Sequence, residues 1–184
     1  MSYYFEVWLK GFAKDYLRGI SDKDEEVYHP HVTLVRPFSL INDEKIVRKK
    51  IVDFCGNIKH PISFYLEGRN DFDGKYSHVP VFEDGALRRF DDGLEDLIRG
   101  DVELVKKIDA VKKFHATVSD EDVDFDCPRI DQYMLRLTGI RNERIWFSYD
   151  FVTGDVLDRG MSLDKGRWDY TLKKFGKMNV DRKS

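Results

Sequence analysis

Two short motifs of the same form, each inside a segment that reads as a strand, constrain this chain more than any other feature. The first is "HVTL", which begins at His31, and the second is "HATV", which begins at His115. Their separation is close to half of the 184 residues. Alternate residues of a strand point to the same side, so each histidine shares a face with the threonine two residues later. The spacing predicts two similar halves that lie face to face.

The order of the predicted elements favours the α+β class with antiparallel sheets. Aromatic and β-branched segments such as Tyr3–Leu9 and Ile62–Leu66 are typical of strands. Apolar spacing predicts helices over Phe12–Ile20, Asp43–Ile58 and Ala86–Ile98. No Gly-rich turn indicates a dinucleotide site, and no linker divides the chain, so residues 1–184 are expected to form a single domain.

Three segment boundaries follow from local residue chemistry. The strand that carries the first motif is predicted to span His31–Val35 and to end at Pro37, because proline cannot donate to a strand ladder. Pro128–Gln132 is predicted to be a helical turn, and Val156–Leu163 to be a strand.

Composition and charge exclude several classes of protein. The net charge of −3 argues against a long electrostatic footprint on a DNA duplex, but permits a small anionic substrate. No apolar run is long enough to cross a bilayer, and the first residues do not resemble a secretory signal. The two cysteines, Cys55 and Cys127, have no metal-ribbon spacing. We expect a cytoplasmic monomer that binds neither membrane nor duplex DNA.

Two such strands side by side would bring two imidazoles and two hydroxyls into one cleft. Histidine titrates near neutral pH, so one ring of a pair can act as a base while the other acts as an acid. Threonine hydroxyls can donate hydrogen bonds to the non-bridging oxygens of a phosphate. This set of groups can break a phosphodiester without a metal or another cofactor. The candidate site residues are His31, Thr33, His115 and Thr117.

The two motifs resemble the paired His-x-Thr/Ser-x signature of the 2H phosphoesterase superfamily, which includes 2′-5′ RNA ligase-like proteins and cyclic nucleotide phosphodiesterases. The surroundings are also similar, with a hydrophobic opening strand, Pro30 just before His31 and a helix after the first motif. The resemblance implies two similar lobes around a central water-filled cleft with pseudo-twofold symmetry. It also implies that His31 and His115 are the acid and the base, while Thr33 and Thr117 hold the phosphate.

The activity implied is hydrolysis of a 2′,3′-cyclic phosphate, or of a related phosphodiester, on a nucleotide or at an RNA terminus. Which histidine is the acid and which is the base stays open. One alternative is a non-catalytic module that binds a nucleotide or an RNA end, and another is 2′-5′ RNA ligation at the same site. An acid–base pair favours an enzyme, because binding alone does not need one.

Other candidate residues carry weaker signals. His29 and His31 form an HxH pair that can bind metal, but no further His or Cys cluster lies nearby in sequence, so no metal site is predicted. His60 and His78 have no motif around them and are expected to be surface or core residues. Arg36 could clamp a phosphate, yet strict strand alternation places it on the face opposite His31.

Two further groups could contribute to binding. Tyr76, Trp146 and Tyr149 could stack on a base, although aromatic residues on strands are more often part of the core. Basic runs at residues 48–50, 105–113 and 172–174 could together form a rim that guides RNA to the cleft, although such runs are usually solvated surface.

Overall fold

The computed structural model describes residues 1–24, 28–104 and 113–183, which contain ten strands and five helices. The strands are β1 (Tyr3–Trp8), β2 (His31–Leu40), β3 (Ile62–Arg69), β4 (Ser77–Phe82), β5 (Val102–Leu104), β6 (His115–Ser119), β7 (Asp126–Met134), β8 (Arg136–Arg141), β9 (Arg144–Asp150) and β10 (Val156–Leu157). The helices are α1 (Phe12–Ile20), α2 (Glu44–Gly56), α3 (Ala86–Ile98), α4 (Arg159–Leu163) and α5 (Lys165–Lys183).

Every strand pairing within the described ranges is antiparallel, and the strands join into one sheet. The order along the sheet is β10-β9-β8-β1-β2-β6-β4-β3-β7, and β5 pairs separately with β2. The predicted α+β class with antiparallel pairing is therefore confirmed. The two motif strands, β2 and β6, are direct neighbours in the middle of this order.

A row of small apolar side chains crosses the centre of the sheet. Val7 on β1 pairs with Val32 on β2, which pairs with Ala116 on β6, which pairs with Val79 on β4. Each of these four side chains is at most 1% exposed. They belong to one core cluster together with residues of the first three helices, so α1, α2 and α3 cover this face of the sheet.

The first three helices begin close to the predicted residues. The bounds of α1 and α3 are those predicted. Helix α2 begins at Glu44 because Asp43 is its N-cap, with a carboxylate that accepts from the backbone N–H groups of Lys45 at 2.9 Å and Ile46 at 3.4 Å. It ends at Gly56, two residues before the predicted end.

The prediction that the first motif strand ends at Pro37 is wrong, because β2 continues to Leu40. Val35 adopts a left-handed backbone conformation with φ of 44°, and the pairing of β1 with β2 shifts register next to it. Its N–H is satisfied by Asp91, whose carboxylate accepts at 2.8 Å. Pro37 lies within this bulge, where a missing N–H does not interrupt the ladder.

Two other predicted elements are corrected. Pro128–Gln132 is not a helical turn but part of β7, an edge strand of the sheet. Its pairing with β3 is irregular next to Pro128, which is where a strand tolerates proline. Only Val156–Leu157 of the third segment is a strand. Asp158 then caps α4 by accepting from the backbone N–H of Met161 at 2.8 Å.

The last two helices are attached to the sheet by a buried network of charged and polar groups. Arg136 on β8 donates to the Asp150 carboxylate on β9 at 2.9 Å, and both side chains are at most 2% exposed. Thr171 on α5 donates to the same carboxylate at 2.6 Å, while the Arg136 guanidinium lies 3.8 Å from the ring centre of Trp168.

No helix in the described ranges has the length and apolar character needed to cross a membrane.

We predict that Asp150→Ala lowers the free energy of unfolding by on the order of 3–5 kcal/mol, because it leaves Arg136 buried without its partner. Asp53→Ala is the matched control, since Asp53 pairs with Lys49 at 2.6 Å but both side chains are well exposed. Its cost should be about 0.5 kcal/mol or less. Urea unfolding measures both, and similar losses in the two variants would contradict the role given to the buried pair.

Candidate functional site

The four motif residues lie on one face of the sheet, around the buried pair Val32–Ala116. These two residues are direct partners of an antiparallel pair, and both point into the core. Their neighbours along each strand therefore point to the opposite face, away from the first three helices. Those neighbours are His31, Thr33, His115 and Thr117.

The register of this pair fixes which groups are adjacent. His31 is opposite Thr117, and Thr33 is opposite His115, so the two histidines are diagonal neighbours across β2 and β6. Diagonal neighbours in an antiparallel sheet have Cα atoms about 7–8 Å apart, which is within joint reach of one small group between them. The structure therefore brings together all four residues that the sequence singles out.

Both motif histidines interact with the backbone two residues upstream. Nδ1 of His31 lies 3.0 Å from the backbone carbonyl oxygen of His29. The backbone of Lys113, which is also two residues upstream, acts on the ring of His115 and raises its pKa. A carbonyl oxygen only accepts hydrogen bonds, so Nδ1 of His31 is the donor and carries a proton. Nε2 of His31 is left for other partners.

Beside His31, a buried carboxylate is shared by two imidazoles. Glu6 on β1 is 1% exposed. Its Oε1 lies 3.3 Å from Nε2 of His31, and its Oε2 lies 3.1 Å from Nε2 of His29. The indole N–H of Trp8 also donates to Oε2, at 2.8 Å. Burial alone would raise the pKa of Glu6, but the hydrogen bond from His29 and the charges of both imidazoles outweigh it, so this pKa is lowered.

Beside His115, a third histidine takes the place of the carboxylate. His78 on β4 is buried, and its ring centre lies 3.9 Å from that of His115. Its Nδ1 lies 3.1 Å from the Thr117 hydroxyl, and its Nε2 lies 2.9 Å from a carboxylate oxygen of Asp73. Asp73, His78 and Thr117 thus form a chain of hydrogen bonds that ends at a motif hydroxyl.

These surroundings shift the pKa of His115 downward. One edge of His115 is exposed, yet the surrounding atoms exclude enough water that desolvation is the main cause of the lowered pKa. Repulsion from His78 lowers it further, while the hydrogen bond to Lys113 acts in the opposite direction. A lowered pKa favours the neutral imidazole, which is the form that can accept a proton.

Among the weaker candidates, two histidines lie beside the four motif residues and most of the others lie away from them. Arg36 lies on the helix side, where its Nε is 3.7 Å from Glu95 of α3. His60 is exposed. Trp146 and Tyr149 are buried core residues, as aromatic residues on strands usually are. The two histidines beside the motif residues are His29, whose ring centre lies 5.1 Å from that of His31, and His78, which is buried as one of the two predicted alternatives.

The aromatic and basic candidates near the site are few. Tyr76 has its ring centre 6.2 Å from that of His78. Within residues 48–50, Lys49 and Lys50 form ion pairs with acidic neighbours. The run 105–113 lies outside the described residues, apart from Lys113.

A cavity of about 450 Å³ opens beside His115. Its lining includes two cationic side chains, Arg88 and Lys113, two acidic ones, Asp71 and Glu83, and two aromatic ones, Phe82 and Phe114. The Arg88 guanidinium lies 4.9 Å from the ring centre of Phe114. The opposite charges balance, so the lining does not by itself favour an anionic ligand.

Comparison of the chain with protein-family models, with curated proteins and with solved structures finds no match.

We predict that removing His78 raises the pKa of His115 toward its ordinary value, because repulsion between the two rings is lost. NMR titration of the ring C–H signals of His115 in His78→Asn measures this shift. His60→Asn is the matched control, since it removes a histidine from the exposed surface and should leave the His115 titration unchanged. An unchanged or lower pKa of His115 in His78→Asn would contradict the interaction.

Proposed function

We propose that this protein is a phosphoesterase that opens 2′,3′-cyclic phosphates, or related phosphodiesters, on nucleotides or at RNA ends. The observation that carries the proposal is the placement of two imidazoles and two hydroxyls on one sheet face around the Val32–Ala116 pair. A single phosphate between the two strands would be flanked by His31 and His115, with both threonine hydroxyls near its non-bridging oxygens.

The surroundings of the two histidines support an assignment of roles. His115, with its lowered pKa, is the general base. His31, the other proton-transfer group of the pair, is then the general acid.

The proposed reaction balances with water as the only co-reactant. Neutral His115 takes a proton from water, and the water oxygen forms a bond to phosphorus. The bond from phosphorus to one ribose oxygen breaks, and His31 protonates that oxygen as it leaves. The product is a phosphate monoester, and transfer of a proton from His115 to His31 through solvent restores the starting state.

The threonines stabilise the charge that builds on the phosphate oxygens. Each hydroxyl can donate one hydrogen bond to a non-bridging oxygen. His78 acts on Thr117 as a positioning residue, because its Nδ1 lies 3.1 Å from the Thr117 hydroxyl and its Nε2 is held by Asp73 at 2.9 Å. Glu6 is the positioning residue for His31, because its carboxylate lies 3.3 Å from Nε2 of that ring.

The proposal includes two lobes related by pseudo-twofold symmetry. Support comes from the matching positions of the backbone groups that act on the two rings, each two residues upstream of its histidine. The central position of the β2–β6 pairing in the strand order also supports it. On this view, the cleft lies over the junction of the lobes.

The test is incubation of the protein with a 2′,3′-cyclic nucleotide in the presence of a chelator, followed by separation of the products. Appearance of a single opened monophosphate supports hydrolysis. Binding without turnover would instead support a nucleotide-binding or RNA-end-binding module. Joining of RNA ends that carry a cyclic phosphate and a 5′-hydroxyl would support ligation.

We predict that His31→Ala and His115→Ala each lower kcat/KM by on the order of 10²-fold or more, because each removes one proton-transfer group. The double variant should lose less than the product of the two factors, since the groups act as a unit. Thr33→Val and Thr117→Val should be milder, because each removes one donor and keeps the branched shape. Steady-state kinetics on the cyclic nucleotide measures all five variants.

His60→Ala is the matched control for these variants, because His60 is exposed and lies outside the site. Its kcat/KM should equal that of the unchanged protein. A loss in His60→Ala as large as in His115→Ala, or full activity in either motif variant, would overturn the assignment.

We predict that the acid limb of the kcat/KM profile lies below the ordinary histidine pKa of about 6.5. The base must be neutral to act, and the lowered pKa of His115 keeps it neutral to a lower pH. In His78→Asn the limb should move to higher pH. Rate measurements at half-unit intervals across roughly pH 4–8 check both. An acid limb at or above pH ~6.5 in the unchanged protein would contradict the assignment of the base.

A further inference from the structure

Three potential metal ligands converge beside the four motif residues. The ligand atoms of Glu6, His29 and His31 all lie within 4.8 Å of one another. They come from two neighbouring strands and the residues just before the second, which is why the sequence around the HxH pair contains only two of them. The set of two imidazole nitrogens and one carboxylate oxygen is typical of zinc and other divalent transition-metal sites.

We propose that Glu6, His29 and His31 form a binding site for a divalent transition-metal ion, with zinc as its best-suited occupant. The proposal goes beyond the phosphoesterase reaction, which uses no metal.

The separations between the ligand atoms support this site. Ligands bound to a tetrahedral zinc ion at about 2.0–2.1 Å are about 3.3–3.4 Å apart. Oε2 of Glu6 already lies 3.1 Å from Nε2 of His29, and the other oxygen, Oε1, lies 3.3 Å from Nε2 of His31. The three ligand atoms lie within 4.8 Å of one another, so the remaining separations must shorten when a zinc ion binds.

The groups around the ligands support it as well. Metal-binding imidazoles usually donate their second N–H to a carbonyl or carboxylate, and Nδ1 of His31 faces the carbonyl oxygen of His29 at 3.0 Å. The Trp8 indole holds the Glu6 carboxylate in place at 2.8 Å, and its ring centre lies 4.9 Å from that of His29. The ligands are therefore oriented before a metal ion arrives.

Burial and exposure define an entry path. The Glu6 side chain is 2% exposed, whereas those of His29 and His31 are 45% and 29% exposed. A metal ion can therefore enter from the solvent side, with the carboxylate behind it. Three protein ligands leave a fourth position open to water. A dication also compensates the buried carboxylate charge that the two imidazoles otherwise neutralise.

Occupancy of this site would switch off the proposed reaction. Nε2 of His31 cannot hold a proton for the leaving oxygen while it is bound to a metal ion. This consequence rests on the proposed function, and it predicts that saturating zinc slows hydrolysis by at least tenfold. At a zinc concentration that only just saturates the unchanged protein, His29→Ala should be slowed much less than the unchanged protein.

The metal site itself is tested without turnover. We predict that the full chain, first stripped with a chelator, binds one equivalent of zinc in isothermal titration calorimetry. His29→Ala and Glu6→Gln should each weaken binding by at least tenfold, because each removes one of three ligands. Cobalt(II) gives a second readout, since intense visible absorption bands appear when it binds in a tetrahedral site.

His60→Ala is the matched control, because it removes an exposed histidine that is not one of the ligands, and its zinc affinity should be unchanged. If Glu6→Gln does not fold, His29→Ala decides the question, since its side chain is half exposed. Absence of stoichiometric zinc binding, or equal binding by His29→Ala and the unchanged protein, would overturn the proposal. Hydrolysis measured with a chelator is independent of this outcome, so the two proposals can fail separately.

Discussion

The pairing of β2 with β6 at Val32 and Ala116 is the contact on which the rest of the structure depends. In the strand order it is the only link, among the described strands, between the part that contains β1, β8 and β9 and the part that contains β3, β4 and β7. Because side chains alternate along a strand, burying this pair on one face forces the motif residues onto the other. A register shift of one residue would turn the histidines into the core, where two imidazoles without partners would be costly.

On the face opposite the first three helices, two buried carboxylates are compensated within hydrogen-bond distance. At one end, the Arg136–Asp150 pair is closed by Thr171 of α5. At the centre, Glu6 is compensated by two imidazoles and the Trp8 indole. The first arrangement is sealed from water and attaches helices. The second is partly open, so protons and small ions can reach it. This difference in access to solvent separates the buried structural network from the candidate functional site.

The sequence predicted the elements whose signals are local. Helices α1 and α3 have the predicted bounds because the spacing of their apolar residues is a local pattern that does not depend on other strands or helices. The predictions that the strand ends at Pro37 and that Pro128 begins a helical turn are wrong, because strands accept proline at bulges. Whether a bulge forms depends on the partner strand, which the local sequence does not show. The four motif residues were found because both copies carry the same spacing within a strand.

The missed residues are those that the register brings in from other strands. Glu6 lies in the aromatic strand segment "YYFEVWL", and a single acidic residue there was a signal, although only the pairing of β1 with β2 shows that it faces His31. His78 had no comparable signal, because its contact with His115 depends on β4 pairing with β6. Spacing along one strand can be read from a sequence, whereas the neighbours across strands require the register.

The two motifs are alike in sequence, yet their neighbours differ in charge. A carboxylate faces His31, and a third imidazole faces His115. A carboxylate attracts a proton to the ring beside it, whereas an imidazole that can become positive repels one. Acid–base catalysis by two identical groups requires that something make them different, and the usual solution is to place them in unlike surroundings. Here the unlike surroundings come from two residues outside the motifs, Glu6 and His78, so the distinct roles proposed for the two histidines are compatible with their similar sequence motifs.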